Sequence, residues 1–190
     1  MSNIYGKKCV TTLKKGSLLS TLLYFMAASA QATLSEGEIA PQFALQASKA
    51  GQEFSFDLQE ALKTGPVVVY FYPRAFTAGC TVEAHTFAEA SDDFAELNTT
   101  IIGVSTDDIK TLNEFSVSEC RNKFAVAADT DATVTRAYDS LIKGRDDIAD
   151  RVSYVIAPSG EIIHVLHDSA PKGHISQSLN AIKNWQATHE

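Results

Sequence analysis

From Gln52 onward the apolar residues follow two rhythms. Gln52–Leu58 alternates Phe54, Phe56 and Leu58 with polar residues, the period of a half-buried strand. Gly65-Pro66 interrupts the pattern. Val67–Tyr72 is then an unbroken run of β-formers, which suits a strand buried on both faces. Pro73 ends it. Thr81–Leu97 predicts a helix, with Phe87, Ala90, Phe94 and Leu97 on one side and acids opposite. Thr100–Val104 is a second buried strand. Ser105 with Asp108 three residues later is a helix-start signal, and Ile109, Leu112 and Phe115 form a helical stripe towards Cys120. Phe124–Ala128 predicts a short strand and Asp131–Tyr138 a short helix. Val152–Ala157 and Glu161–Leu166 flank Pro158-Ser159-Gly160 as a hairpin, and Ile175, Leu179 and Ile182 mark a closing amphipathic helix. Leu34–Leu45, broken by Pro41, is expected to be irregular. Strands alternating with helices imply an α/β fold: a central, mostly parallel sheet, an antiparallel edge hairpin and helices on both faces.

The first 32 residues do not join this pattern. They hold four lysines and no acid, then the mostly apolar run Leu18–Ala28, then Ala28-Ser29-Ala30 and Ala30-Gln31-Ala32. This is the layout of a cleaved secretory signal peptide, and the run is too short for a membrane span of about 20 apolar residues. The expectation is an exported, periplasmic product, residues 33–190, with residues 1–32 and their Cys9 discarded. The whole chain carries 16 basic and 23 acidic residues. Removing the four lysines makes the product more acidic still, which argues against nucleic acid or a membrane surface as its partner.

The stretch richest in chemistry is Val69–Glu83. A buried strand leads through Pro73 and a short loop to Cys80 in the first turn of a helix. Free backbone N–H groups and the positive end of the helix dipole favour an anion there, so they favour thiolate, the nucleophilic form. Thr77 can place a hydroxyl beside the sulfur, and Pro73 can fix the loop. The same position also suits a small Cys that only packs at a helix start.

Pro73-x-x-x-Thr77-x-x-Cys80 resembles the peroxidatic motif of the peroxiredoxins. The wider string from Tyr70 to Glu83 is similar to the bacterioferritin comigratory protein branch, the Q type. Gly37-x-x-Ala40-Pro41-x-Phe43, Asp129–Tyr138 and Arg151–Gly160 extend the resemblance over most of residues 33–190. It implies a thioredoxin-like fold and a thiol-dependent peroxidase, an antioxidant enzyme acting on hydrogen peroxide and organic hydroperoxides without cofactor or metal. By the same resemblance, Cys80 becomes a sulfenic acid, Thr77 orients the peroxide, Arg151 stabilises the thiolate and the developing charge, Pro73 shapes the pocket, and Glu83 orders the arginine. Residue by residue, the plainer alternatives are a surface arginine at a strand start and a helix-capping glutamate.

Two positions depart from the family pattern. Ala78 stands where Pro is usual. His85 stands where many Q-type members have their resolving Cys. His85 lies about 140° around the helix from Cys80, so a surface or packing role is expected for it. Cys120 is then the candidate resolving residue, closing an intramolecular disulfide after local unwinding. Its alternatives are a packing Cys in an enzyme reduced by external thiol, or half of a permanent disulfide. A thioredoxin-like or other thiol reductant is the implied partner. A thiol-disulfide exchange protein or a redox-inert binding or chaperone module on this fold are the competing functions; the lack of Cys-x-x-Cys argues against the first. His164 and His167, three apart on a strand, face opposite ways and make poor ligands. Asp129-x-Asp131-x-Thr133 imitates a calcium loop but lacks its Gly and Glu.

Overall fold

The computed structural model describes residues 1–2 and 34–189. The expected signal peptide, with Cys9 and both cleavage motifs, therefore lies outside the described residues apart from its first two positions. The described residues from Leu34 to His189 belong to one compact unit.

Strand β3 (Val67–Phe71) organises this unit, and every one of its residues is buried. Its side chains alternate between the sheet's two faces. Val67, Val69 and Phe71 join one core with Leu58, Leu62, Val134 and Tyr138, while Val68 and Tyr70 join another with Phe87, Phe94, Leu112, Phe115 and Ile182. Parallel partner β4 (Thr100–Ser105) lies on one side, and antiparallel β6 (Val152–Ile156) on the other. β5 (Ala125–Ala128) adds parallel to β4, and β7 (Ile162–His167) closes the hairpin with β6. The first core is covered by α1 (Leu58–Leu62) and α5 (Thr133–Ala137). The second is covered by α2 (Ala78–Glu89), α3 (Ser91–Glu96), α4 (Ile109–Ser118) and α6 (Pro171–His189).

The α/β class with helices on both faces agrees with the sequence reading; the details differ in five places. Ala44–Lys49 forms strand β1, which pairs antiparallel with both β2 (Gln52–Asp57) and β5. The seven-stranded order is β2-β1-β5-β4-β3-β6-β7, so parallel pairing is confined to the centre, β5-β4-β3, and both flanks are antiparallel. Ala50 and Gly51, both at positive φ, make the two-residue turn that lets β1 fold onto β2. The helix expected over Thr81–Leu97 starts earlier, at Ala78, and breaks at Ala90 into α2 and α3. The α4 cap is Asp108, whose carboxylate accepts from the Thr111 N–H at 2.9 Å, and Ser105 belongs to β4. Phe54 does not follow Phe56 and Leu58 inward, because β2 is an edge strand and that end of it is open to solvent.

Candidate active site

Tyr72 leaves β3 with its N–H donated to the Val104 carbonyl, and Pro73 turns the chain away from the sheet. The loop from Pro73 to Thr77 is held from below by Asp107. One oxygen of that carboxylate accepts from the Ala75 N–H at 2.7 Å and from the Ser105 hydroxyl at 2.9 Å. Phe76 takes a left-handed φ of 63° and packs edge-on against Phe115, whose other neighbour is the stacked ring of Tyr72. The loop is thus tied to both β4 and α4.

Thr77 is the N-cap of α2, in extended backbone, with its hydroxyl donating to the Arg74 carbonyl at 2.9 Å. That bond uses its only proton and leaves its lone pairs free to accept. Cys80 is the third residue of α2, where backbone N–H groups still lack intrahelical acceptors. Its side chain is 2% exposed and free.

Arg151, in the residue just before β6, reaches the sulfur. Its Nη2 donates to Cys80 Sγ at 3.4 Å and its Nη1 donates to Glu83 Oε2. Glu83 follows Cys80 by three residues on α2, so both face the guanidinium from one side of the helix. Gly79 makes this approach possible: a Cβ there would stand 3.0 Å from Arg151 Nη2. Burial pushes the Glu83 carboxyl up to about 8, while the guanidinium beside it pulls the other way. Burial works against the Arg151 charge, but Glu83 and Cys80 outweigh it and hold the guanidinium above its ordinary range. Glu83 Oε1 has no partner, so this carboxylate is committed to the arginine alone.

The sequence reading singled out Pro73, Thr77, Cys80, Glu83 and Arg151, and the fold brings Cys80, Glu83 and Arg151 into contact and sets Thr77 at the cap below them. It passed over Gly79 and Asp107. Gly79 had no signal beyond its place in the string; Asp107 acts on a backbone N–H 32 residues away, which no local pattern records. Glu83 binds Arg151 and caps no helix end, and Arg151 is buried.

Cys120 follows Glu119, the C-cap of α4. It is free and fully buried, in the same core as Cys80. Burial, helped by Glu119, pushes its thiol far up, so it is a weak nucleophile where it lies. His85 is half-exposed and bonds Glu119 Oε2 at 2.7 Å. His164 and His167 bond separate carboxylates, those of Glu36 and Asp150. Asp129 accepts from the Val134 and Thr135 N–H groups and the Thr135 hydroxyl, so it caps α5. A hollow of about 400 Å³ lined by Lys49, Phe54, Lys123 and Phe124 shares no residue with the Cys80 site.

Residues 37–165 match the AhpC/TSA family. The chain is 32% identical over 155 residues to peroxiredoxin Bcp of Escherichia coli strain K12, covering 79% of this chain and 96% of the relative. It is 36% identical over 160 residues to the putative peroxiredoxin YkuU of Bacillus subtilis strain 168, covering 79% and 88%. Among solved structures, peroxidoxin BcpB from Mycobacterium tuberculosis superposes with a TM-score of 0.71 at 26% identity, over 78% of this chain and 96% of that one.

Proposed function

The chain belongs to the AhpC/TSA family and is a peroxiredoxin of the bacterioferritin comigratory type, a thiol-dependent peroxidase with a thioredoxin-like fold; on that premise we propose how its own residues divide the work. Cys80 is the peroxidatic residue. Its thiolate attacks one peroxide oxygen, the O–O bond breaks, and the leaving oxygen departs as water or alcohol after taking a proton. Cys80 is left as the sulfenic acid.

Arg151 favours the thiolate and stabilises the negative charge that grows on the leaving oxygen. Glu83 positions Arg151. Thr77 accepts a hydrogen bond from the peroxide, because its own proton is already given to Arg74. Pro73 and Asp107 set the loop that shapes the pocket. Cys120 is the resolving residue: it leaves its buried site, displaces the hydroxyl of the sulfenic acid and closes a Cys80–Cys120 disulfide. An external dithiol of the thioredoxin kind then reduces that bond. The product is exported to the periplasm after cleavage near residue 32, a reading supported by the lysine-rich, apolar and small-residue order of the first 32 positions.

The observation that carries the proposal is the shared guanidinium of Arg151, divided between Cys80 and Glu83 on one face of α2. The test is the intact mass of the reduced chain, with Cys9→Ser, after one equivalent of hydrogen peroxide. Loss of two hydrogens, abolished by Cys120→Ser, is expected. Oxygen gained on Cys80 without that loss would remove Cys120 from the cycle. For export, the N-terminal residue of protein recovered from a bacterial periplasm should fall at or near position 33.

A further inference from the structure

The segment after α4 is fastened to α2 and α3 by three side-chain contacts in register, a hydrogen bond between His85 and Glu119 and two ion pairs. His85 meets Glu119 at 2.7 Å, Glu89 meets Arg121 at 3.1 Å, and Asp92 meets Lys123 at 2.9 Å. Positions 85, 89 and 92 follow helical spacing on one side, and positions 119, 121 and 123 alternate opposite them. Cys120 lies in the chain between the first two rungs. The first rung is the most sheltered, with side chains 35% and 19% exposed. The backbone beside it is strained: Arg121 and Asn122 are both left-handed, at φ 52° and 60°. Such conformations persist only where the surroundings impose them.

This ladder sits in the wrong place for a disulfide. His85 and Glu89 are five and nine residues beyond Cys80 on the same helix, roughly 7.5 and 13.5 Å further along its axis at a rise of 1.5 Å per residue. A disulfide needs Cα atoms within about 7 Å. The rungs must part before Cys120 can reach Cys80.

We propose that His85, Glu89 and Asp92, with Glu119, Arg121 and Lys123, are positioning residues that latch the Cys120 segment in its buried site, and that opening of this latch sets the rate of resolution. The inference rests on the reading of Cys120 as the resolving residue. Two fates then compete for the sulfenic acid. In the first, the Cys120 sulfur attacks the Cys80 sulfur, an S–S bond forms, the S–O bond breaks, and hydroxide leaves with the thiol proton as water. Cys120 is oxidised and the sulfenic sulfur is reduced. In the second, another peroxide oxidises the sulfenic acid to sulfinic acid and itself leaves as water. A tight latch lengthens the life of the sulfenic acid and so lowers the peroxide dose that inactivates the enzyme. The residue at position 85 thus governs resolution without being a thiol: it holds the neighbour of the thiol that acts.

The test compares the full chain, with Cys9→Ser, against E89Q/E119Q and the charge swap E89R/R121E. Rapid quenching and intact mass give the ratio of disulfide to sulfinic acid across a hydrogen peroxide titration. The double neutralisation should raise that ratio about tenfold at low salt, and the swap should return it towards the parent. Near 1 M salt, where the Debye length is about 3 Å, parent and E89Q/E119Q should converge, because the rungs are screened. A ratio unchanged or lowered in E89Q/E119Q overturns the latch and leaves Cys120 as the resolving residue. A parent chain that forms no Cys120-dependent disulfide overturns the resolving role, and the latch with it.

Discussion

Glu83 and Cys80, one turn apart on α2, take the two arms of a single guanidinium, that of Arg151. Glu83 therefore reaches the sulfur through the arginine. Arg151→Met should slow oxidation of Cys80 by hydrogen peroxide by about 10²–10³-fold, the usual cost of losing one donor aimed at developing charge. Glu83→Gln should slow it less, by about tenfold, because Arg151 stays but is no longer held. The double variant should be no slower than Arg151→Met, since the two residues act as one unit. Stopped-flow second-order rates decide this. Additive losses would give Glu83 a role independent of the arginine.

Gly79 separates stability from activity. Alanine is favoured over glycine in a helix by about 0.5–1 kcal/mol, so Gly79→Ala should leave the Tm unchanged or raise it. The new methyl group would press on Arg151 Nη2 at 3.0 Å and move it off the sulfur. A roughly tenfold slower peroxide reaction in an equally stable protein is the expected pair of results. A rate equal to the parent's would show that the guanidinium adapts.

Asp107 anchors the loop from outside it. Asp107→Ala leaves the Ala75 N–H and the Ser105 hydroxyl without their acceptor, at a cost of about 1–3 kcal/mol on urea unfolding. It should also slow Cys80 oxidation, because Pro73 and Thr77 lose their fixed setting. Asp107→Asn retains an acceptor oxygen and should recover most of both. Failure of the Asn variant to recover the rate would point to the charge and away from the loop.

His174, on the first turns of α6, is fully buried between two partners. A carbonyl can only accept, so Nε2–H donates to Asp168 O at 2.8 Å, and Nδ1 accepts from the Ser153 hydroxyl at 2.7 Å. Burial holds the ring's pKa below the ordinary 6.5, so at neutral pH the ring is uncharged and Nδ1 is the acceptor. The unfolded chain takes up the proton more readily than the folded one. The stability from this residue is thus present above about pH 6.5 and lost as the pH falls below it, by at most about 1.4 kcal/mol per unit. Urea unfolding at several pH values between 7 and 5 should show that decline, and His174→Gln should flatten it. An equal slope in the variant would assign the decline to other groups.

The sequence spoke most clearly where the physics is local. Val67–Phe71 and Thr100–Ser105 are apolar enough to demand burial on both faces, and the order of Pro73, Thr77 and Cys80 puts a cysteine in the first turn of a helix. Strand β1 was not legible, because Ala44–Lys49 carries small and polar residues; it is a strand only because β2 and β5 lie on either side. The break at Ala90 has no glycine or proline to announce it. His174 and Asp107 find their partners across 21 and 32 residues, distances at which sequence spacing says nothing about contact. His85 was rightly expected away from Cys80, but its bond to Glu119 exists only because α4 ends beside α2.

The guanidinium that meets Cys80 arrives 71 residues later in the chain. β6, which carries Arg151 at its start, docks directly against β3. A nascent chain therefore exposes its nucleophile first and completes the site afterwards. At about 5–20 residues per second, the delay is roughly 4 to 14 seconds. During that interval Cys80 lacks its guanidinium partner. Peroxidase activity therefore begins only once the last strands are in place, after Cys120 has already been made.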